Sequence, residues 1–290
     1  MLFRSEVFEE VRAVELITKD GAVWGVYCLY QGRTVAFLAG ATVLATGGAG
    51  RAFSLNVNPP TLEGDGWAMA YRAGAKLINL EFFQTGPGTV NPPLDFIIHS
   101  HMWRFKPRLF NSRGEEFLAC YCPSGVTPEE VLELKAMSYP FSVRTNAKYL
   151  DIAIFTEIVE GRGTRNRGVV FDVTHISSQD LNEKAPITYN TFLRAGVDLA
   201  NQPVEIAPLV QNFNGGVLIN GDGETTVRGL YCAGEVSGGV HGADRPGGNN
   251  LTDTQVFGYR AGRSAARRAA EVDYPELKLS VQSGDRKQWA

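Results

Sequence analysis

The sequence predicts an α/β fold in which a nucleotide-binding layer is interrupted by an α+β insert. Two glycine clusters, at residues 45–51 and 234–248, carry this prediction, because each follows a short apolar, β-rich strand. Glycine lets the backbone turn sharply there and approach a flat or phosphorylated ligand without side chains in the way. A simple tight turn remains the alternative for either cluster taken alone.

The first segment opens with a predicted β-hairpin. Strands at 11–17 and 23–29 flank turn residues Lys19-Asp20-Gly21, and a second turn follows at Gly32. Short β-rich runs bounded by such residues are typical of antiparallel strands. We therefore expect a small sheet before the first glycine cluster.

The stretch between the two clusters has a different composition, proline-rich and aromatic at first and then helical. Thr127-Pro128 is typical of an N-cap and a first helical position, which predicts a helix to about residue 136. A second helix is predicted over about 146–160, where apolar residues recur at helical spacing, and it ends at a glycine. A strand over 168–173 and a helix near 187–195 complete the insert.

These observations divide the chain into four parts. The boundaries we expect are 1–83 for the first part of the nucleotide-binding layer, 84–208 for the insert, 209–265 for the second part of the layer and 266–290 for a C-terminal tail. A helix at about 251–270 follows the second cluster. The two parts of the layer should come together in the fold.

Composition narrows the possible partners. With 28 basic and 31 acidic residues the net charge is -3, which gives no reason to expect nucleic acid or an anionic membrane as a partner. No apolar stretch has the length of a membrane span, and the charged N-terminus is unlike a signal peptide. A cytoplasmic location is therefore expected.

Four cysteines are present. Cys120 and Cys122 form a Cys-x-Cys pair, which lacks the Cys-x-x-Cys spacing of zinc and iron-sulfur sites. Metal binding is the less favoured interpretation, and no metal ligand is assigned. We expect these two residues, with Cys28 and Cys232, to be core thiols in a reducing compartment.

The order and identity of the residues in both clusters resemble the flavoprotein subunits of the succinate dehydrogenase and fumarate reductase family. Relatives of this family include L-aspartate oxidase and adenylylsulfate reductase. The first cluster continues to Asn58 and to Gly64-Asp65-Gly66, and 80–84 is similar to the run before the family's substrate pocket. The resemblance covers roughly residues 5 to 265. It implies an incomplete Rossmann-like FAD-binding domain, with the insert as a capping domain.

The same resemblance shows what is missing. Family members open with a Gly-x-Gly-x-x-Gly turn that holds the FAD pyrophosphate, and no such motif occurs in these 290 residues. The family's C-terminal helical domain is not found either. We expect either a truncated reading frame or a partner chain that supplies the missing FAD-binding half. An iron-sulfur electron-transfer subunit is a further expected partner.

The resemblance also implies noncovalent FAD, although His241 could anchor a flavin in principle. The expected contacts are Ala45, Thr46, Gly47 and Gly48 along the adenosine side, Asn58 and Asp65 nearby, Gly234 and Glu235 at a ribose hydroxyl, and Asn249, Asn250 and Leu251 at the isoalloxazine edge.

Hydride exchange between the flavin and a small anionic substrate is the chemistry that the resemblance implies. Arg245 matches the family's carboxylate-binding arginine, and an ion-pair arginine is the alternative. Arg144 precedes a predicted helix, as the family's proton-donor arginine does, but its interval to Glu157 is three residues longer. A solvent-facing arginine is the alternative there.

Other substrate positions depart from the family. Gly86 and Gln211 stand where the family has two substrate histidines. The family's Thr-Glu pair falls at His99-Ser100, followed by His101. We therefore expect an altered substrate and consider both histidines catalytic candidates, with a structural role as the alternative.

The sequence thus predicts an FAD-dependent oxidoreductase subunit of the fumarate reductase type. One alternative is an electron-transfer subunit similar to adenylylsulfate reductase. Another is a noncatalytic remnant or assembly subunit that keeps the fold and binds no flavin.

Overall fold

The computed structural model describes residues 5–94, 96–137 and 141–277. The strands are β1 (Val11–Lys19), β2 (Ala22–Tyr30), β3 (Arg33–Leu38), β4 (Thr42–Leu44), β5 (Leu77–Ile78), β6 (Phe83–Asn91), β7 (Arg108–Phe110), β8 (Val169–Asp172), β9 (Val204–Phe213), β10 (Gly216–Leu218), β11 (Leu230–Cys232) and β12 (Ser237–Gly238). The helices are α1 (Asp65–Arg72), α2 (Leu118–Tyr121), α3 (Pro128–Lys135), α4 (Lys148–Val159), α5 (Ser178–Lys184), α6 (Pro186–Arg194) and α7 (Asn249–Glu271). Short 3-10 helices lie at Gly50–Ala52, Ser100–Phe105 and Gly234–Val236.

The predicted hairpin is confirmed and extended. β1, β2 and β3 form a three-stranded antiparallel sheet. Asp20 and Gly21, which join the first two strands, both have positive φ, and so do Gln31 and Gly32 at the second turn. Two-residue connections with this backbone match the twist of antiparallel strands.

The nucleotide-binding layer joins strands from both ends of the chain. β4 pairs with β11 in parallel, and β10 pairs with both β5 and β12. Beneath these strands is a core of apolar side chains that come from both segments. It includes Leu16, Val23, Leu44, Trp67, Met69, Val210, Phe213, Val217, Leu230 and Val236.

The insert is built on the antiparallel sheet β6-β9-β8-β7 and has its own core. The fully buried side chains there include Ile98, Trp103, Leu150, Ile154, Phe171, Leu181 and Ile206. The predicted N-cap of α3 is confirmed, since Thr127 Oγ1 accepts a hydrogen bond from the Glu130 N–H at 3.2 Å. Helix α5 was not predicted.

Strands β6 and β9 cross the predicted boundaries of the insert. Their ladder runs from Phe83↔Phe213 to Asn91↔Glu205, so neither strand ends at residue 84 or 208. Along β9, Ile206 belongs to the core of the insert and Val210 to the core of the layer. The two cores therefore meet on one pair of strands, and the boundaries themselves stay a prediction.

The C-terminal helix is longer than expected. α7 begins at Asn249 and ends at Glu271, so 266–271 of the predicted tail are helical. Residues 278–290 of that tail lie outside the described residues. None of the helices in the described ranges has the length and apolar character needed to cross a membrane.

The prediction of four core thiols is only half right. Cys28 and Cys232 are buried, and burial raises the pKa of the Cys232 thiol to about 12. Cys120 is exposed and Cys122 half-buried, because short α2 lies at the surface and turns Cys120 outward.

Candidate functional site

The two glycine clusters meet at the ends of β4 and β11. The Ala233 N–H donates to the Leu44 carbonyl at 3.1 Å, which carries the parallel pairing into the clusters. Just beyond, a Cβ on Gly48 would lie 2.7 Å from Glu235 Oε1. Gly48 and Glu235 are about 190 residues apart in sequence, so one site is built from two distant segments.

Further glycines of the first segment are in equally close contact with polar side chains. A Cβ on Gly50 would lie 1.8 Å from Asn58 Oδ1, and one on Gly66 would lie 1.9 Å from Thr46 Oγ1. Real Cβ atoms do not approach other atoms so closely, so any larger residue at either position would force Asn58 or Thr46 to move. Ala45 and Thr46 remain exposed at the end of β4, with Gly47 beside them at φ 73°.

Glu235 lies where the clusters join. Its Oε1 accepts a hydrogen bond from the Phe213 N–H at 2.8 Å, and the Gly48 N–H also donates to the carboxylate. Burial raises the pKa of Glu235, while these two backbone donors and Arg245 act in the opposite direction. The carboxylate thus ties the two clusters together, and its contact with a ribose stays a prediction.

A cavity of about 140 Å³ opens between Glu235 and the start of α7. The residues around it are Asn212, Phe213, Glu235, Ser237, His241, Asn250, Leu251, Asp253 and Thr254. The helix begins after Gly248 with no side-chain cap, next to Asn249. Its N-terminal end therefore presents positive dipole charge toward this cavity.

A histidine and an aspartate pair inside this cavity. His241 Nε2 lies 3.4 Å from Asp253 Oδ2, and both side chains are more than nine-tenths buried. Asp253 Oδ1 has no hydrogen-bond partner within the described part of the chain. Sequence reasoning missed Asp253, although a carboxylate on the first turns of a helix that follows a glycine cluster was a usable signal.

Arg245 is almost completely buried, with 2% of its surface exposed. Its Nη1 donates to the Pro246 carbonyl at 3.0 Å, and its Nε has no partner among the described residues. Gln84 Nε2 donates to the Arg245 carbonyl at 3.0 Å and fixes the backbone at this point. Burial lowers the pKa of the guanidinium, and Glu235 raises it. A buried cation with an unmet donor is suited to bind an anionic group.

Arg144 comes from the insert and reaches the same segment. Its Nε lies 3.2 Å from Asp244 Oδ2, and its Nη2 donates to the Asp244 carbonyl. Ser142 Oγ donates to the same Asp244 Oδ2 at 2.9 Å. The structure thus brings Arg144 against Asp244, the residue before Arg245, across the seam between insert and layer. Its side chain is 55% exposed, and its role as a proton donor stays a prediction.

The two candidate histidines lie together in another cleft. The rings of His99 and His101 stack with centroids 5.8 Å apart, and His101 Nε2 is 2.8 Å from Thr188 Oγ1 on α6. Val57 lines the cleft beside His99. The contacts that the structure describes for these rings do not include Arg245. Their catalytic role is untested.

Of the remaining predicted positions, Asn58 and Gln211 lie near the first cluster and Asp65 lies at the surface. Asn58 Nδ2 donates to the Gln211 carbonyl at 3.3 Å, which places both near the first cluster. Asn58 Oδ1 and Gln211 Oε1 are buried without partners in the described ranges. Asp65 is exposed and pairs with Arg12 at 3.2 Å on the surface, so its predicted contact with the cofactor has no support from its neighbours.

Comparison with known proteins finds an FAD-binding family and fumarate reductase subunits as relatives. The family described as FAD binding domain matches residues 3–251. The chain is 40% identical over 287 residues to a fumarate reductase (CoM/CoB) subunit of Methanothermobacter marburgensis, covering 97% of this chain and 49% of the relative. It is 32% identical over 280 residues to the fumarate reductase flavoprotein subunit of Proteus vulgaris, covering 91% and 44% respectively.

Solved structures agree with these relatives. Mycobacterium smegmatis Sdh1 in complex with UQ1 superimposes with a TM-score of 0.76 at 34% identity, covering 92% of this chain and 43% of that one. The chain therefore spans about half the length of the curated relatives that it matches.

Proposed function

Because the chain belongs to the FAD binding domain family, we propose that it is the flavin-binding part of an FAD-dependent oxidoreductase of the fumarate reductase and succinate dehydrogenase type. The proposed reaction is transfer of a hydride or electrons to or from an organic acid or a related anionic substrate. The relatives that support this type are fumarate reductase subunits, and a cytoplasmic location is part of the proposal.

The residues present fit an FAD. Glycine at Gly48 lets the Glu235 carboxylate approach the backbone, which joins the two clusters where we propose that the nucleotide lies. The uncapped start of α7 would stabilise negative charge on a reduced flavin by about 0.3 to 1 kcal/mol. Asp253 Oδ1, buried and unpartnered in the described part of the chain, is an acceptor for a group in the cavity. When bound, FAD supplies the centre that exchanges a hydride with the substrate.

Arg245 is the observation that carries the proposed activity. A buried guanidinium with an unpartnered Nε needs an anion, and the nearest carboxylate acting on its pKa is Glu235. Its planar fork can hold two oxygens of a substrate carboxylate and orient the acid beside the flavin cavity. Arg144 is our candidate for moving the proton. Because a free guanidinium is a poor acid, this role needs a relay and a dry site.

We further propose that a partner chain, or further sequence of a longer protein, supplies the pyrophosphate-binding turn. Within the described ranges β4 pairs only with β11, in a parallel sheet of three-residue strands. So small a parallel sheet is seldom stable by itself. Leu251, Val256 and Tyr259 on α7 are exposed and could be covered by such a unit. An iron-sulfur subunit is the electron partner that we propose.

Substitution of Arg245 by lysine tests the proposed site. Lysine keeps the charge but loses the fork, so we expect turnover to fall by about two orders of magnitude while fold and flavin content are kept. The measurement is oxidation of reduced viologen dye by fumarate or fumaramate, in protein loaded with FAD together with its partner. Arg33→Lys, at an exposed position of β3, is the matched control.

Three results would contradict the proposal. Full activity in Arg245→Lys would show that no anion is held by the fork. Joint loss of flavin and folded structure would make the arginine structural. Protein that takes up no FAD even with its partner would favour the noncatalytic remnant.

A further inference from the structure

The side chains around Arg245 balance each other in charge. Two pairs of opposite charge lie along this segment, Arg245 with Glu235 and Arg144 with Asp244, and Asp253 adds a buried carboxylate beside His241 in the cavity that Glu235 lines. The charge of Glu235 raises the pKa of Arg245, and Asp244 Oδ2 forms a salt bridge with Arg144 Nε at 3.2 Å. A site of this kind offers little net positive charge to a ligand that carries two negative charges.

Asp244 uses only one of its two carboxylate oxygens. Oδ2 accepts a hydrogen bond from Ser142 Oγ at 2.9 Å and forms a salt bridge with Arg144 Nε at 3.2 Å. Oδ1 is buried and has no hydrogen-bond partner among the described residues. A buried carboxylate oxygen is an acceptor only, so it favours a donor group on a ligand and repels a second carboxylate.

We propose that Asp244 determines which acids the site accepts: an organic acid with one carboxylate, held by Arg245, and a hydrogen-bond donor group that meets Asp244 Oδ1. This inference rests on the proposed function and names its substrate class. Arg144 cannot serve as a second anchor for a dicarboxylate while Asp244 neutralises it. The neutral residues Gly86 and Gln211 add no cation to the site.

Two probes of equal shape test the proposal. Fumarate carries two carboxylates, and in fumaramate one of them is replaced by a neutral amide with N–H donors. We measure the binding of each by calorimetry to the chain loaded with FAD together with the partner that supplies the pyrophosphate-binding turn. The wild type is expected to bind fumaramate at least tenfold more tightly than fumarate, and Asp244→Asn is expected to reduce this ratio at least tenfold.

Further variants keep the test decisive. Asp222→Asn removes an exposed carboxylate on the turn after β10, and its ratio should equal that of the wild type. Arg144→Gln leaves Asp244 without its cation and should increase the preference for fumaramate, which tests the idea even if Asp244→Asn folds poorly. An unchanged ratio in a folded Asp244→Asn, or a decreased ratio in Arg144→Gln, would overturn the inference.

Arg245→Gln separates this inference from the proposed function. It should abolish binding of both probes. If it binds both as the wild type does, the anion site of the proposed function is wrong. If it loses both while Asp244→Asn keeps the ratio of the wild type, only the assignment of Asp244 is wrong. A wild type that binds neither probe would overturn both.

Discussion

His101 illustrates how single residues in this fold respond to their neighbours. Its ring is half-buried, forms a hydrogen bond with Thr188 and stacks on the ring of His99. Burial lowers the pKa of His101 most, and repulsion from His99 and Arg104 lowers it further. The folded chain therefore binds this proton less readily than the unfolded chain does.

A pH-dependent loss of stability follows. As pH falls through the ordinary histidine pKa of 6.5, the unfolded chain takes up the proton first, so the free energy of unfolding decreases. We expect His101→Asn to lose less stability than the wild type between pH 7.5 and pH 5, measured by urea unfolding. His175→Asn, at an exposed position, is the control. Equal losses in wild type and His101→Asn would contradict the assignment.

At the residue scale, the sequence identified the positions that lie within a motif. Arg245 was predicted from its neighbours in the second cluster, and it is buried beside Glu235. The role of Asp244, one residue earlier, was not predicted. Its partner Arg144 lies 100 residues away, and only the packing of insert on layer brings the two together. The buried pairing of Asp253 with His241 was missed although the two residues are only 12 positions apart.

Between elements, a buried pair of opposite charges joins α3 and α4. Lys135 Nζ lies 2.6 Å from Asp151 Oδ2, and the two side chains are 1% and 5% exposed. Burial raises the pKa of Asp151, and the lysine opposes that rise. Removing one partner of a buried pair leaves the other charge in an apolar place, which is costly.

Asp151→Asn is therefore expected to destabilise the protein by about 3 to 5 kcal/mol, because Lys135 loses its carboxylate. Chemical unfolding monitored by circular dichroism measures the change. The matched control is Asp180→Asn, which breaks the exposed pair of Asp180 with Lys184 and should have a far smaller effect. Comparable losses in the two variants would show that the buried pair contributes little.

At the element scale, local signals predicted single elements and the motifs predicted that the two parts of the layer meet, but the pairing of β6 with β9 was not predicted. Thr127 caps α3 and the turn residues form the hairpin, because both depend on a few neighbouring residues. The pairing of Phe83 with Phe213 joins residues 130 positions apart, which no local pattern reveals. β6 and β9 run past residues 84 and 208, and the predicted boundaries of the insert stay a prediction.

On the scale of the whole molecule, two cores share one strand pair while one face of the layer stays open. β6 and β9 hold the insert to the layer, and α7 exposes apolar side chains along its length. The resemblance to flavoprotein subunits predicted the layer correctly because the two glycine clusters directly follow β4 and β11, which pair in it. The pyrophosphate-binding turn that the resemblance also implies stays an expectation.

Cofactor binding tests this view of the molecule. Since the 290 residues contain no Gly-x-Gly-x-x-Gly turn, we expect the chain alone to retain little FAD after gel filtration, as read from flavin absorbance. With a polypeptide that supplies this turn, FAD should be retained, and amide exchange along α7 and β4 should slow. Stoichiometric FAD on the isolated chain would contradict the expectation.

The contact of Gly50 with Asn58 constrains how this sequence can change over evolution. A Cβ at Gly50 would lie 1.8 Å from Asn58 Oδ1 and 2.9 Å from Asn58 Cβ, so alanine at this position requires Asn58 to move. Gly66 is related to Thr46 in the same way, with Oγ1 at 1.9 Å and Cβ at 3.0 Å. Among descendants of this chain, each pair should vary together or remain as it is.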